Sequence, residues 1–311
     1  MLSITQSAFG GPEVLETVER PRPNALPTEV LVKVHATSVN PVDLYVRSGA
    51  FPLLGQPPFL LGWDVSGVVE EVVPGSARFQ VGDEVYGMPF FPRAGNTYAE
   101  YVAVPSRQLA RKPARLSHVQ AAALPLVGLT AWQSLVDIGR LQAGQRVLIH
   151  AGGGGVGHIA IQIAKALGAY VITTASASKH DYVRSIGADE VIDYRSTDFS
   201  ATLRDVDLVF EVTGGDAAER SMRVLRPGGL LVTAVDRTNL ALAQKFEAAG
   251  LRFSGVAVEP DYVALERLAG LVDAGQLQPH VHRVFPLREA GLAHELVASG
   301  STQGKVVLAV S

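Results

Sequence analysis

The stretch of sequence that decides the fold is HAGGGGVG, residues 150–157. Its glycines at 152, 154 and 157 satisfy the spacing G-x-G-x-x-G, a weak signal by itself in a run of four glycines. The surroundings strengthen it, because the apolar segment RVLIH precedes the turn and a helical pattern, His158–Leu167, follows it. A strand, a glycine turn and a helix in this order predict a pyrophosphate site: glycines let the backbone approach the anion, and the helix start favours negative charge. The alternative is a glycine turn that binds nothing.

Outward from this turn, apolar strand candidates alternate with helical segments between residues 118 and 258. The six strand candidates are Arg146–His150, Tyr170–Thr174, Glu190–Asp193, Asp207–Val212, Leu230–Ala234 and Phe253–Val258. Near-continuous apolar strands alternating with helices are typical of a parallel sheet covered on both faces. Six such strands predict a doubly wound α/β dinucleotide fold.

The residues on either side have a different rhythm. Residues 1–117 contain alternating, valine-rich runs separated by glycine and proline clusters, which predicts a β-rich barrel or sandwich. The last fifty residues hold a helix, a shorter helix and a final strand, Lys305–Val310, too little for a third domain. We therefore expect a discontinuous β-rich domain, 1–117 with 259–311, and a dinucleotide-binding domain, 118–258.

Composition excludes several classes of protein. The chain has 311 residues, a formal net charge of −3 and 47% hydrophobic residues, so it has neither a basic nucleic-acid footprint nor the profile of a disordered chain. The absence of cysteine excludes disulfides, thiolate catalysis and cysteine-ligated zinc. The N-terminus lacks the features of a secretory signal, and the most apolar stretch, Val119–Val136, is interrupted by Pro125 and Gly128. We expect a cytoplasmic protein that does not enter a membrane.

A second cofactor signal follows the next strand, where the sequence reads TTASASK at residues 173–179. A site that prefers NAD usually carries Asp or Glu there, bonded to the ribose hydroxyls. Here Ser176 and Lys179 offer a hydroxyl and a cation instead, which favours the 2′-phosphate of NADP(H). The alternative is that Ser176 only caps the following helix and Lys179 only faces solvent.

Other catalytic patterns are missing or weak. The chain has no P-loop, no G-x-S-x-G nucleophile turn, and no tyrosine with a lysine four residues later. His280 and His282 could share one face of a strand, but no third ligand is near in sequence, so we predict no metal. His150 is expected to be structural.

Taken together, the motifs resemble the zinc-free quinone oxidoreductase (zeta-crystallin-like) branch of the medium-chain dehydrogenase/reductase superfamily. The matching stretches are FGGPEVL (9–15), SVNPVDLYVRSG (38–49), GWDVSGVV (62–69), VGDEVYG (81–87), TYAEYV (97–102), AALPLVGLTAW (122–132), HAGGGGVGHIAIQIAK (150–165) and GKVVL (304–308). The resemblance implies a GroES-like β-rich catalytic domain with a Rossmann domain inserted before its C-terminal segment. Zinc-dependent relatives carry cysteines that this chain lacks, and Gly152 departs from the alanine more usual in this branch.

The resemblance also implies an activity, the transfer of hydride from NADPH to a quinone or an α,β-unsaturated carbonyl. It places the nicotinamide between the domains, with Asn40, Asp43 and Tyr45 on the wall of the catalytic domain and Thr130 reaching the nicotinamide from the other side. Tyr45 is the best candidate to donate to the substrate oxygen and Asn40 is the second. Alternatively, Asn40 only starts a turn and Tyr45 only packs. Asp43 is expected to form a surface pair with Arg47.

The resemblance also implies a set of cofactor-binding residues. They are Gly152, Gly154, Gly155, Val156 and Gly157 at the pyrophosphate, Ser176, Lys179 and Tyr194 near the adenosine phosphate, Thr213 and Gly214 at the ribose edge, and Lys305 from the final segment. Phe59, Phe90, Phe91 and Tyr98 line a pocket or belong to the core. The family commonly dimerises through the last Rossmann strand, here near Phe253–Val258. Two other functions stay open: an NADPH-binding sensor or scaffold without catalysis, and a zinc alcohol dehydrogenase.

Overall fold

A computed structural model describes residues 1–74 and 78–310. The chain divides into two compact units, Met1–Leu129 with Glu259–Ser311, and Thr130–Val258.

The first unit is mainly β-structure. Its elements are β1 (Leu2–Gln6), β2 (Leu15–Glu19), β3 (Glu29–Val39), α1 (Pro41–Ser48), β4 (Phe59–Leu60), β5 (Val65–Val72), β6 (Glu84–Gly87), β7 (Tyr101–Pro105), β8 (Leu109–Arg111), α2 (His118–Ala122) and α3 (Pro125–Trp132), the last of which runs into the second unit.

The second unit alternates strands and helices. Its elements are β9 (Arg146–Ile149), α4 (Gly157–Ala166), β10 (Tyr170–Ala175), α5 (His180–Ser185), β11 (Glu190–Asp193), α6 (Phe199–Thr202), β12 (Val206–Glu211), α7 (Ala217–Ser221), β13 (Leu225–Thr233), α8 (Leu240–Ala248) and β14 (Arg252–Gly255). The first unit then resumes with α9 (Tyr262–Asp273), β15 (Val281–Pro286), α10 (Ala290–Ala298) and β16 (Lys305–Ala309).

Strand β3 lies at the centre of the first unit. It pairs antiparallel with β5, β7 and β16 in a seven-stranded sheet, and β16 pairs in parallel with β15. Alternate residues of β3, such as Val30, Val32 and Val34, are buried in one hydrophobic cluster with the inward side of β5, as period-two patterning requires. A three-stranded sheet, β2-β1-β4, completes the unit.

The second unit is a parallel sheet of six strands in the order β11-β10-β9-β12-β13-β14. This is the order 3-2-1-4-5-6 of a doubly wound dinucleotide fold, so the predicted α/β class and strand number are confirmed. The strands are buried on both faces; Val147, Leu148 and Ile149 of β9 have no exposed surface. In such sheets ligands bind at the carboxyl ends of the strands, where the order reverses between β9 and β12.

The apolar stretch Val119–Val136 is divided between several elements. Helix α2 ends at Ala122, α3 begins at Pro125, and a π-helical turn, Gln133–Ile138, follows. Ala122 packs with Ala36 and Val307 of the first unit, which is why the boundary between the units follows Leu129 while the sequence placed it at 117. No helix within the described parts of the chain is long and apolar enough to span a membrane.

Candidate functional site

The glycine turn joins β9 to α4 and has no room for side chains at two of its positions. A Cβ at Gly152 would lie 2.1 Å from Thr173 Oγ1, and a Cβ at Gly157 would lie 2.2 Å from the carbonyl oxygen of Ala151. Directly before them Ala151 has a positive φ of 53°, and the Gly152 amide donates to the Thr174 carbonyl over 3.0 Å. The turn is therefore closely packed against β10 and leads directly into the N-terminus of α4, where the helix dipole favours an anion.

His150 braces this turn from the preceding strand. Its Nδ1 lies 3.2 Å from Thr174 Oγ1 and its Nε2 3.1 Å from Ser221 Oγ. Ser221 donates to the Ala217 carbonyl, so it accepts from Nε2–H, and this assigns a neutral ring that accepts at Nδ1. Thr174 Oγ1 in turn accepts from the Ala151 amide. The expected structural role of His150 agrees with this geometry.

Burial lowers the pKa of His150 to about 4, which makes the stability of the protein acid-sensitive. In the unfolded chain the imidazole takes up a proton as the pH falls through about 6.5, while the buried ring stays neutral until about 4. The contribution of the neutral His150 ring to the free energy of unfolding is therefore fully present above pH 6.5. The free energy of unfolding falls by about 3 kcal/mol as the pH drops from 6.5 to 4. Urea unfolding of wild type and His150→Gln at several pH values checks this. Because glutamine does not titrate, the difference in the free energy of unfolding between the two proteins should shrink as the pH falls. A difference that stays constant with pH would contradict the prediction.

A cationic corner lies beside the turn, at the ends of β10 and β11. A Cβ on Gly153 would lie 2.6 Å from Lys179 Cδ, so the lysine stem packs on the glycines. The strands pair with Ala175 opposite Asp193, which brings the residues that follow them, Ser176 and Tyr194, to the same edge. Tyr194 is 55% exposed.

Arg195 was missed by the sequence analysis and belongs to the same corner. Its guanidinium lies 5.7 Å from the Tyr194 ring centroid. Burial and then the charge of Arg195 lower the pKa of Lys179, so the two cations are close enough to repel each other. A phosphate between them would relieve this repulsion. The signal was present in the sequence, since Arg195 directly follows Tyr194, but only the strand register brings it near Lys179.

The turn after β12 is organised by a second missed residue, Glu211. This buried carboxylate accepts from the backbone amides of Thr213 and Gly214 and from the Thr233 hydroxyl at 2.8 Å. Thr213 is exposed and Gly214 has a φ of 73°. Glu211 thus fixes a turn at the carboxyl edge of the sheet, next to the point where the strand order reverses.

In the first unit, Asn40 caps α1 and lies fully buried. Its backbone amide donates to Asp43 Oδ2 over 2.8 Å, and the Gly62 amide donates to Asp43 Oδ1 over 3.1 Å. The predicted surface pair of Asp43 with Arg47 is wrong, because the capping box turns Asp43 inward, where burial raises its pKa to about 7.

Arg47 is buried instead at the far end of a hydrogen-bond chain. It lies 3.2 Å from His294 Nδ1, and His294 Nε2 lies 3.0 Å from the Tyr98 hydroxyl, which bonds to Asp43. A guanidinium only donates, so His294 accepts at Nδ1, donates from Nε2, and Tyr98 donates to Asp43. Burial lowers the pKa of His294 to about 3, consistent with a neutral ring. The chain runs in one direction and ends on the carboxyl that holds Asn40.

The other predicted residues are placed separately. Tyr45 is 57% exposed on α1, and Thr130, at the start of the second unit, is buried with its carbonyl accepting from Ser134 Oγ over 2.7 Å. Lys305, buried in β16, contacts Asn40 and Asp64 of its own unit. Tyr98 and Phe59 are buried in the first unit. Within residues 1–74 and 78–310, no group of three or more His, Asp or Glu side chains could hold a metal ion.

A doubly wound sheet with a close-packed glycine turn defines a dinucleotide-binding protein, and comparison with known proteins identifies its family. Residues 26–114 match the model of the alcohol dehydrogenase GroES-like domain, which confirms the predicted class of the first unit, and residues 186–308 match that of a zinc-binding dehydrogenase. The mouse (Mus musculus) mitochondrial NAD(P)H oxidoreductase RTN4IP1 is 36% identical, over 91% of this chain and 82% of its own length.

Two solved structures extend this comparison. The quinone oxidoreductase of Coxiella burnetii is 38% identical with a TM-score of 0.94, covering 100% of this chain and 99% of its own. The Escherichia coli quinone oxidoreductase, solved with NADPH, is 30% identical with a TM-score of 0.89, covering 99% and 100%. The chain belongs to the medium-chain dehydrogenase/reductase superfamily, alongside its quinone oxidoreductases. It is an oxidoreductase of that family.

Proposed function

We propose that this chain takes hydride from NADPH and delivers it to a quinone or an α,β-unsaturated carbonyl, without zinc. The observation that carries the proposal is the glycine turn, where Gly152 and Gly157 are closed to any side chain and Lys179 packs beside them. That combination fits a pyrophosphate at the start of α4 and a further phosphate at the cationic corner.

The residues of the second unit fit NADP(H) better than NAD(H). The carboxylate that would accept from the ribose hydroxyls of NAD is absent from the end of β10, where Ser176 stands instead. Lys179 and Arg195 supply two positive charges at that corner, and Tyr194 supplies an exposed ring. The E. coli relative was solved with NADPH, which supports the same choice.

When bound, the cofactor supplies the hydride, and the protein supplies position and charge stabilisation. Hydride addition to a quinone or enone places negative charge on the acceptor's carbonyl oxygen. Tyr45, exposed on α1, is the proposed donor to that oxygen. Asn40, the second candidate, starts the same helix but is fully buried, so its donation would require the site to open on binding. We propose that Thr130 contacts the nicotinamide of the cofactor and that Thr213 and Gly214 lie against its ribose.

The deciding experiment is steady-state oxidation of NADPH by the purified protein against a panel of paired quinones and enones. We expect turnover with at least one class, a preference for NADPH over NADH, and no loss of activity on dialysis against a chelator. Calorimetry with NADPH runs in parallel. Binding without turnover of any acceptor would contradict catalysis and favour a sensor or scaffold.

We also propose that two copies associate through β14. This strand ends the six-stranded sheet, so one of its edges can pair with the same strand of a second copy. Sedimentation at several concentrations should give a dimer; a monomer at all concentrations would contradict it.

A further inference from the structure

Glu211 is a buried carboxylate whose hydrogen-bond partners are all neutral. Within the described parts of the chain, its Oε1 accepts from the Thr213 hydroxyl and from the amides of Thr213 and Gly214, and its Oε2 accepts from the Thr233 hydroxyl. The Thr233 hydroxyl must donate here, because its oxygen already accepts from two backbone amides further along the chain. Both carboxylate oxygens therefore act as acceptors, as in the ionised group, and none of these partners carries a balancing positive charge.

The need to hold the turn after β12 does not by itself explain a charged residue. The amide oxygen of a glutamine could accept the three hydrogen bonds that Oε1 of Glu211 receives. A buried charge without an opposite charge beside it is costly, whereas a hydrogen-bonded amide is not. The geometry of the turn therefore accounts for the position of Glu211 but not for its charge.

The carboxylate lies where the strand order of the sheet reverses. Phe210 of β12 is opposite Ile149 of β9, so Glu211 ends its strand beside His150, which precedes the glycine turn. Burial lowers the pKa of His150, and the negative charge of Glu211 opposes this shift. The field of Glu211 therefore extends to the start of the glycine turn.

A dinucleotide in a doubly wound sheet lies across this reversal, with one mononucleotide on each half. The glycine turn and Lys179 belong to the half formed by β9, β10 and β11, which suits the phosphates, so the nicotinamide is expected at the ends of β12, β13 and β14. The surface there is open, since Thr213 is exposed and Val235 is 50% exposed. Glu211 contacts Thr213 directly, so its charge lies one side chain beneath that surface.

The charge of a nicotinamide ring depends on its oxidation state, being zero in NADPH and +1 in NADP⁺. When NADPH reduces an acceptor, a C–H bond of the ring breaks, its hydrogen and both electrons form a new bond to the acceptor, and a proton from solvent completes the reduction. A fixed negative charge beneath the ring stabilises the positive charge that develops as this bond breaks. The same charge favours NADP⁺ over NADPH at equilibrium.

We propose that Glu211 sets the preference of the site between the two oxidation states of its cofactor: its charge favours the oxidised nicotinamide and thereby assists the departure of the hydride. This inference rests on the proposed reductase function. A residue that only held the turn would affect the binding of both forms equally, so the two roles can be separated by measurement.

The test is Glu211→Gln, which keeps an acceptor oxygen for the turn and removes the charge. Isothermal titration should show that the ratio of the Kd for NADP⁺ to the Kd for NADPH rises about tenfold relative to wild type. Glu247→Gln removes the same charge from an exposed position on α8 and should leave the ratio unchanged. Thr233→Val removes one hydrogen bond to the carboxylate but keeps its charge, so it should lower stability and leave the ratio within about twofold.

The outcomes distinguish the inference from the function on which it rests. If Glu211→Gln weakened the binding of both nucleotides equally, or of neither, the residue would only hold the turn and the inference would be overturned. A wild-type protein that bound neither nucleotide would instead refute the proposed cofactor site itself. If Glu211→Gln does not fold, wild type supplies the test: it should bind NADP⁺ at least as tightly as NADPH, and tighter binding of NADPH would overturn the inference.

Discussion

Gly157→Ala is expected to weaken NADPH binding about 100-fold and to remove turnover at ordinary cofactor concentrations. The added Cβ would lie 2.2 Å from the carbonyl oxygen of Ala151 and 2.7 Å from Gly152 Cα, both backbone atoms that a rotamer change cannot move. The turn must open, which displaces the first amides of α4 from the pyrophosphate. Isothermal titration with NADPH measures the change.

Gly270→Ala is the matched control for this substitution. Gly270 lies in α9, and a Cβ there meets nothing within 4 Å. Alanine should leave the Kd for NADPH unchanged and stabilise the protein by about 0.5–1 kcal/mol, the usual gain in an exposed helix. If Gly157→Ala bound NADPH as Gly270→Ala does, the glycine turn would not be the cofactor site.

Lys179→Ala is expected to raise the Kd for NADPH about 30-fold while leaving that for NADH nearly unchanged. The reason is that a charge-assisted bond to the 2′-phosphate contributes about 2 kcal/mol, and NADH offers no such phosphate. Arg195→Ala should act in the same direction, and the double variant should lose the NADPH preference. Cofactor titrations of the four proteins measure this.

The control for charge removal is Lys245→Ala, whose ammonium pairs with Glu219 on the surface of the same unit at 2.8 Å. This variant should have the same ratio of the Kd for NADPH to the Kd for NADH as wild type. An unaltered ratio in Lys179→Ala would reject the cationic corner as the phosphate site.

The second unit could be predicted closely from the sequence because its signals are local. Each strand is a short apolar run and each turn follows its own strand, so the six strands and the glycine turn could be recognised without tertiary information. The sequence could not reveal that Arg195 joins Lys179, because that depends on the pairing of β10 with β11.

The first unit was predicted less well because its key contacts are distant in sequence. The spacing of Asp43 and Arg47 suggested an ordinary helical pair. Asp43 is instead turned inward by its capping box with Asn40, a local pattern that was overlooked. Arg47 is held by His294, which lies 247 residues away. Lys305 was recognised as a functional lysine by resemblance alone, and its partner Asn40 lies 265 residues earlier. No local pattern reports such a contact.

The place of β16 between β15 and β3 has a consequence for biosynthesis. Thr130–Val258 is one continuous segment, so it can fold as it leaves the ribosome. The part of β3 that pairs with β16, Ala36–Val39, has no partner strand until residues 305–309 have been synthesised. Until then this edge of the sheet can pair with the wrong strand.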